Sequence, residues 1–133
     1  MKLGKDGRAY IHGKIISLIT GKDIDLIFLV DPGSTSGQLS SIIIGALEGQ
    51  LHHTSKVEDS LGEELDRKFY DHIRIELPGT DAQGKAIILT TEAFIGKAVP
   101  GKGAVIGANQ LLEMKADLLI KYGSKEFSLI RNF

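Results

Sequence analysis

The stretch Ile24-Asp25-Leu26-Ile27-Phe28-Leu29-Val30 is an apolar, β-rich run that stops abruptly at Asp31-Pro32-Gly33-Ser34-Thr35. A run of this length and composition reads as a buried strand, and it delivers an aspartate to a tight turn. Taking a carboxylate out of water is costly unless it is paired or hydrogen-bonded, so an acid in this setting either caps the turn or does chemistry. Taken alone, Asp31 fits an Asx-type turn in which Pro32 and Gly33 supply the backbone angles.

The 133 residues fit one domain, residues 1–133, long enough to bury a core without cross-links. Sixteen basic and seventeen acidic residues leave a net charge of −1, so no global field selects nucleic acid, and no polybasic arm selects a membrane surface. The absence of cysteine removes disulfides, thiol nucleophiles and cysteine-held zinc, and it fits a reducing, cytoplasmic setting. Residues 1–20 are interrupted by Lys2, Lys5, Asp6, Arg8 and Lys14, so neither a signal peptide nor a membrane span is expected there. No cofactor and no metal are expected.

Residues 8–20 and 24–30, joined by Gly21-Lys22-Asp23, predict a β-hairpin. Leu39, Ile42, Ile43, Ala46 and Leu47 recur at spacings of three and four, which predicts a short helix within residues 39–51, weakened by Gly45. Residues 52–68 are polar and charged throughout and read as a solvated helix or loop. Residues 70–77 and 85–95 predict two strands around Pro78-Gly79-Thr80-Asp81-Ala82-Gln83-Gly84, an exposed tip. Ala104-Val105-Ile106 leads through Gly107 to a short helix at 108–115, and residues 116–122 and 126–130 flank Gly123-Ser124-Lys125 as a last hairpin.

Weaker signals have simpler readings. The glycines of residues 100–107 precede a strand and are misspaced for a dinucleotide loop. His52 and His53 are adjacent, so on regular backbone they point apart and chelate poorly even with Glu48 nearby; a solvent-exposed pair is expected. Ser34, Ser36 and Ser40 lack a Gly-x-Ser-x-Gly elbow, and turn or cap roles suffice for them.

The strand ending in Asp31-Pro32-Gly33-Ser34-Thr35, followed much later by Ala104-Val105-Ile106-Gly107-Ala108-Asn109-Gln110-Leu111-Leu112 and a closing hairpin, resembles the retropepsin-like aspartic protease family over nearly the whole chain. The resemblance implies a mainly β, closed acid-protease barrel with one or two short helices. It implies an aspartic endopeptidase in which Asp31 is the catalytic acid and base, Gly33 admits the backbone close to the carboxylate and Ser34 lines the site floor. It also makes Gly79, Thr80, Asp81, Ala82, Gln83 and Gly84 a flap over an extended peptide or protein substrate.

Two carboxylates must share a proton in this chemistry, because like charges a few ångströms apart cannot both ionise. Asp6 and Asp81 sit in polar turns, so the second acid is expected from a second copy of the chain. A symmetric homodimer places Asp31 against its own copy on the two-fold axis, and the family resemblance implies residues 126–133 as its candidate interface. The chain departs from the family at Pro32, where the family has a Thr or Ser whose hydroxyl braces the two turns across that axis. Proline has neither hydroxyl nor N–H, although it holds Asp31 to extended angles. The alternative is therefore a catalytically inactive peptide-binding or dimerisation module of the same fold.

Overall fold

The computed structural model describes residues 1–48, 50–58, 61–97 and 103–132. The chain runs β1 (Tyr10–Ser17), β2 (Asp23–Val30), β3 (Gln38–Leu39), α1 (Ser41–Leu47), β4 (Gln50–Glu58), β5 (Glu64–Asp71), β6 (Ile73–Thr80), β7 (Ala86–Thr91), β8 (Ile95–Lys97), β9 (Ala104–Ile106), α2 (Ala108–Met114), β10 (Ala116–Lys121) and β11 (Glu126–Arg131). The expected mainly β class with short helices is what the chain adopts. Its strands form one path, β10-β11-β6-β1-β2-β9-β3-β8-β5-β4, with β7 on the flank of β6. Among the described residues no ladder joins β10 to β4, so the path is open where a closed barrel was expected.

The hairpin β1–β2 pairs Tyr10 with Leu29 and Ile15 with Ile24, as the turn at residues 21–23 predicts. Its core face carries Ile11, Ile15, Phe28 and Val30, all buried. The run in β2 is not buried on both sides, because Ile27 is 55% exposed. One face of the strand packs into the core while the other, Ile27 and Leu29, faces a cleft shared with Asp31. An apolar run without alternation thus reflects a strand held between a core and a site.

Asp31 is positioned by a long-range pairing. β9 lies parallel to β2, with Phe28 opposite Ala104 and Val30 opposite Ile106, and the Asp31 N–H donates to the Ile106 carbonyl at 2.9 Å. Parallel neighbours leave the sheet in the same direction, so the turn after β2 and the start of α2 emerge side by side.

Several expectations are corrected. Residues 52–58 and 64–68 are strand rather than helix or loop: they belong to β4 and β5, which pair Thr54 with Lys68, Ser55 with Arg67 and Lys56 with Asp66. The ladder sets Lys56 opposite Asp66 and otherwise joins mostly polar side chains, so the hydrophobic alternation that betrays a strand is largely absent. Residues 79–84 do not make a long flap. Gly79 and Thr80 are inside the sheet, where Thr80 pairs with Ile130 of β11. Asp81 then closes a tight turn by accepting the N–H groups of Gln83 and Lys85, each at 2.9 Å.

The C-terminal strand is likewise not a free interface strand. β11 is flanked by β10 on one side and by β6 at Ile130 on the other, so the unpaired edge belongs to β10. The strand expected at 85–95 divides into β7 and β8, and the helix expected within 39–51 shortens to α1, whose N-cap Ser40 accepts from the Ile43 N–H. The glycine-rich stretch lies outside the described residues at 100–102. No helix among the described residues is long and apolar enough to cross a membrane.

Candidate active site

Asp31 sits partly buried at the mouth of β2. Its backbone carbonyl accepts the Ser34 N–H at 3.1 Å, which closes a turn over Pro32 and Gly33, and its Oδ1 accepts the Gly33 N–H at 3.0 Å. The Asx turn read from sequence is therefore present, and it aims the carboxylate rather than consuming it, since a carboxylate can accept several further hydrogen bonds. A larger residue at position 33 would crowd the carboxylate, since a Cβ there would stand 3.2 Å from Asp31 Oδ1. Pro32 is exposed, in the first of the two central positions of the turn, where its fixed φ suits the backbone.

The loop beyond Asp31 is stitched to the start of α2. Ala108 N–H donates to the Ser34 carbonyl at 2.7 Å, and Asn109 N–H to the Thr35 carbonyl at 3.1 Å. At the centre is Gln110, 0% exposed. Its Oε1 accepts from the N–H groups of Gly37 at 2.8 Å and Gly107 at 2.9 Å, while its Nε2 donates to the Phe94 carbonyl at 2.9 Å. Asn109 doubles the arrangement, accepting from Gly37 N–H at 3.1 Å and donating to Phe94 O at 2.9 Å. The approach is so close that a Cβ at Gly107 would lie 2.5 Å from the Ser36 carbonyl carbon. Sequence reading missed Gln110, although a Gln three residues after a helix-capping position is half of a capping box and signals such a reach-back.

Asp31 lines two clefts, of about 510 and 580 Å³. The first is bounded by Leu118, Ile120 and Tyr122 at the β10 side, the second by Ile27, Leu29 and Gln38. Among the described residues neither cleft holds a second carboxylate, and the other fixed charge in both is Arg8. Tyr10, on the wall of the second cleft, donates its hydroxyl to Asp6 Oδ2 at 2.5 Å, and Asp6 Oδ1 accepts the Arg8 N–H at 3.0 Å. The Tyr10 hydroxyl and then the Arg8 N–H hold the Asp6 carboxyl below its ordinary 3.8, and the same bond to Asp6 holds Tyr10 above its ordinary 10.0.

Of the residues expected to bind substrate, Gly33 and Ser34 lie in the Asp31 turn, whereas residues 79–84 do not line either cleft. The element that faces the turn is instead β4–β5: His53, Ser55, Arg67 and Phe69 share a cleft of about 690 Å³ with Gly33 and Ser34. The expectation that His52 and His53 point apart is also corrected. A β-bulge between Leu51 and His53 makes His52 the extra residue, and the two Nδ1 atoms lie 2.6 Å apart as one hydrogen bond. The rings stack on Phe94 and Phe69 respectively, at 5.3 and 4.7 Å. No group of three metal-ligating side chains occurs among the described residues.

This architecture is similar to a solved structure of a retropepsin-like aspartic protease from Rickettsia conorii, with a TM-score of 0.52 over 97% of this chain and 94% of that one, at 19% identity. The chain therefore has a retropepsin-like, mainly β fold. No family model and no curated relative matches the sequence.

Two outcomes follow from this geometry. Gln110→Leu strands the Gly107 N–H, while Asn109 still serves Gly37 and Phe94, so urea unfolding should show a loss of about 1–3 kcal/mol for the orphaned donor. Amide exchange at Gly37 and Gly107 should quicken in the same variant.

The Asp6–Tyr10 bond has two pH limits. The depressed Asp6 pKa gives stability that is present above the ordinary carboxylate value of 3.8 and is lost as pH falls through the folded value. The raised Tyr10 pKa gives stability that is present below 10.0 and is lost as pH rises through the folded value. Titration of tyrosinate absorbance should show one of the tyrosines ionising above 10.0, and Asp6→Ala should bring that step back toward 10.0.

Proposed function

We propose that this protein is an aspartic endopeptidase that cleaves peptide bonds with a pair of Asp31 carboxylates, one from each copy of a homodimer. The observation that carries this reading is Asp31 itself, a carboxylate at the end of a core strand, in a turn fixed by Gly33 and by the Gln110 clamp, within the fold of a retropepsin-like protease. The clefts around Asp31 hold no second acid among the described residues, so a shared proton needs a second chain. With one carboxyl protonated and one ionised, the ionised group takes a proton from water as it attacks the carbonyl carbon, and the protonated group donates to the carbonyl oxygen.

In this reading the peptide lies extended across the turn, with Ile27 and Leu29 offering apolar contact on one side. The covering element is the β4–β5 hairpin, because it shares a cleft with residues 33–36. The free edge of β10, beside the Asp31 cleft, supplies the strand available for pairing between copies. Light scattering on the parent chain should give a dimer mass. Asp31→Asn should keep that mass and the fold while abolishing cleavage, and cleavage surviving at the parent rate would falsify the role of Asp31.

Pro32 favours a second reading, a peptide-binding or dimerisation module that has kept the fold without the chemistry. Its ring offers no hydroxyl to brace the two turns. Pro32→Thr separates the readings: a restored hydroxyl bond is worth about 1 kcal/mol, and it should raise both cleavage rate and dimer affinity if the site is a weakly braced protease. A folded dimer of this variant that leaves varied peptides intact supports the module.

A further inference from the structure

The cleft of about 690 Å³ between residues 33–36 and the β4–β5 hairpin has a charge that no carboxylate among the described residues answers. On β4 and β5 the two-residue period turns His53 and Ser55, and opposite them Phe69 and Arg67, toward one side, and all four line this cleft. Arg67 is partly buried, and its Nε passes 3.2 Å from where a Cβ at Gly96 would stand, so the glycine of β8 leaves room for its stem.

A guanidinium stays charged at all ordinary pH, and taking it out of water is unfavourable without a partner. Burial holds the Arg67 pKa below its ordinary value, the signature of desolvation that no neighbouring anion offsets. Among the described residues no carboxylate pairs with Arg67, and no Asp or Glu lines the cleft. Among the described residues the structure thus holds an uncompensated cation in an open cleft that Ser55, Phe69 and Phe94 also line.

We propose that this cleft is a subsite for an acidic side chain of the bound peptide, whose carboxylate pairs with the Arg67 guanidinium next to Ser55. The inference rests on the reading of the Asp31 face as a peptide site. Arg67 presents a planar fork that matches a carboxylate at two points, and its partial burial strengthens the pair relative to one in open water. The cleft begins at Gly33, two residues past Asp31, so an extended peptide lying over Asp31 brings an alternate side chain to it. Arg67 is in this sense a specificity residue, and Asp31 remains the chemical one.

The test uses the Asp31→Asn chain, which cannot consume its ligand, and extended peptides blocked at both ends with Glu or Gln placed at successive positions. Fluorescence anisotropy should find one position where Glu binds about tenfold or more tighter than Gln. Arg67→Glu should abolish that preference and favour Lys at the same position, and Arg67→Lys, which keeps the charge but not the fork, should retain part of it. Equal binding of Glu and Gln peptides at every position, a Glu preference that survives Arg67→Glu in a chain with parental circular dichroism, or no peptide binding at all would overturn the proposal. If the parent chain cleaves nothing while the Glu preference and its loss in Arg67→Glu are observed, the subsite stands and only the peptidase reading fails.

Discussion

The arrangement around Asp31 depends on one buried amide. Gln110 lies 0% exposed, with its oxygen shared by the N–H groups of Gly37 and Gly107 and its nitrogen on the Phe94 carbonyl. These partners come from the loop after Asp31, the start of α2 and the segment before β8, so a single side chain fixes the spacing of strands that are far apart in sequence. A polar group in such a setting is costly if unpaired and specifying if fully paired, because only one geometry satisfies every donor and acceptor. Glycines at 37 and 107 are part of the same constraint, since a Cβ at either would collide with the clamp or with the facing backbone.

From that constraint the rest of the site follows. The parallel pairing of β2 with β9 brings the Asp31 turn and α2 out of the sheet together, and the Asp31 N–H is bonded to Ile106 before the turn begins. β2 then faces two environments, with Phe28 and Val30 in the core and Ile27 and Leu29 toward a cleft. The carboxylate is thus carried on a rigid strand rather than on a free loop, which is the condition for holding a reacting group in register.

The cleft under β4–β5 differs from its surroundings in kind. Some exposed charges of this protein pair, as in Lys2 with Glu126 or Arg74 with Glu92, at the surface where such pairs contribute little. Arg67 is partly desolvated and has no carboxylate partner among the described residues. In the proposed reading, an acidic group at Asp31 beside a cationic cleft would combine chemistry at one point with selection at another. The stacked His52, His53, Phe69 and Phe94 rings form the base of the hairpin on which that selection sits.

Local pattern determined a good part of this fold. The hairpin β1–β2, the helix α2 and the hairpin β10–β11 were all readable, because each has its own apolar period and its own turn residues within a few positions. Asp31 was readable for the same reason: an apolar run that halts at an acid before Pro-Gly is a local contradiction that needs an explanation. The hairpin β4–β5 was not readable, since the covered face of its strands carries the polar His53, Ser55 and Arg67 beside Phe69 and so gives no apolar period of two. Neither was the bulge that turns His52 and His53 together, because a register shift belongs to two strands at once. The covering role expected for residues 79–84 failed on tertiary grounds, as Thr80 is claimed by Ile130 and Asp81 shuts the turn. Sequence by itself therefore determined which residues form the strands around Asp31 and which residue bears the carboxylate. Only the tertiary structure decided what lies opposite it, because the parallel β2–β9 pairing, the Gln110 clamp and the Arg67 cleft each join segments whose contact no local period encodes.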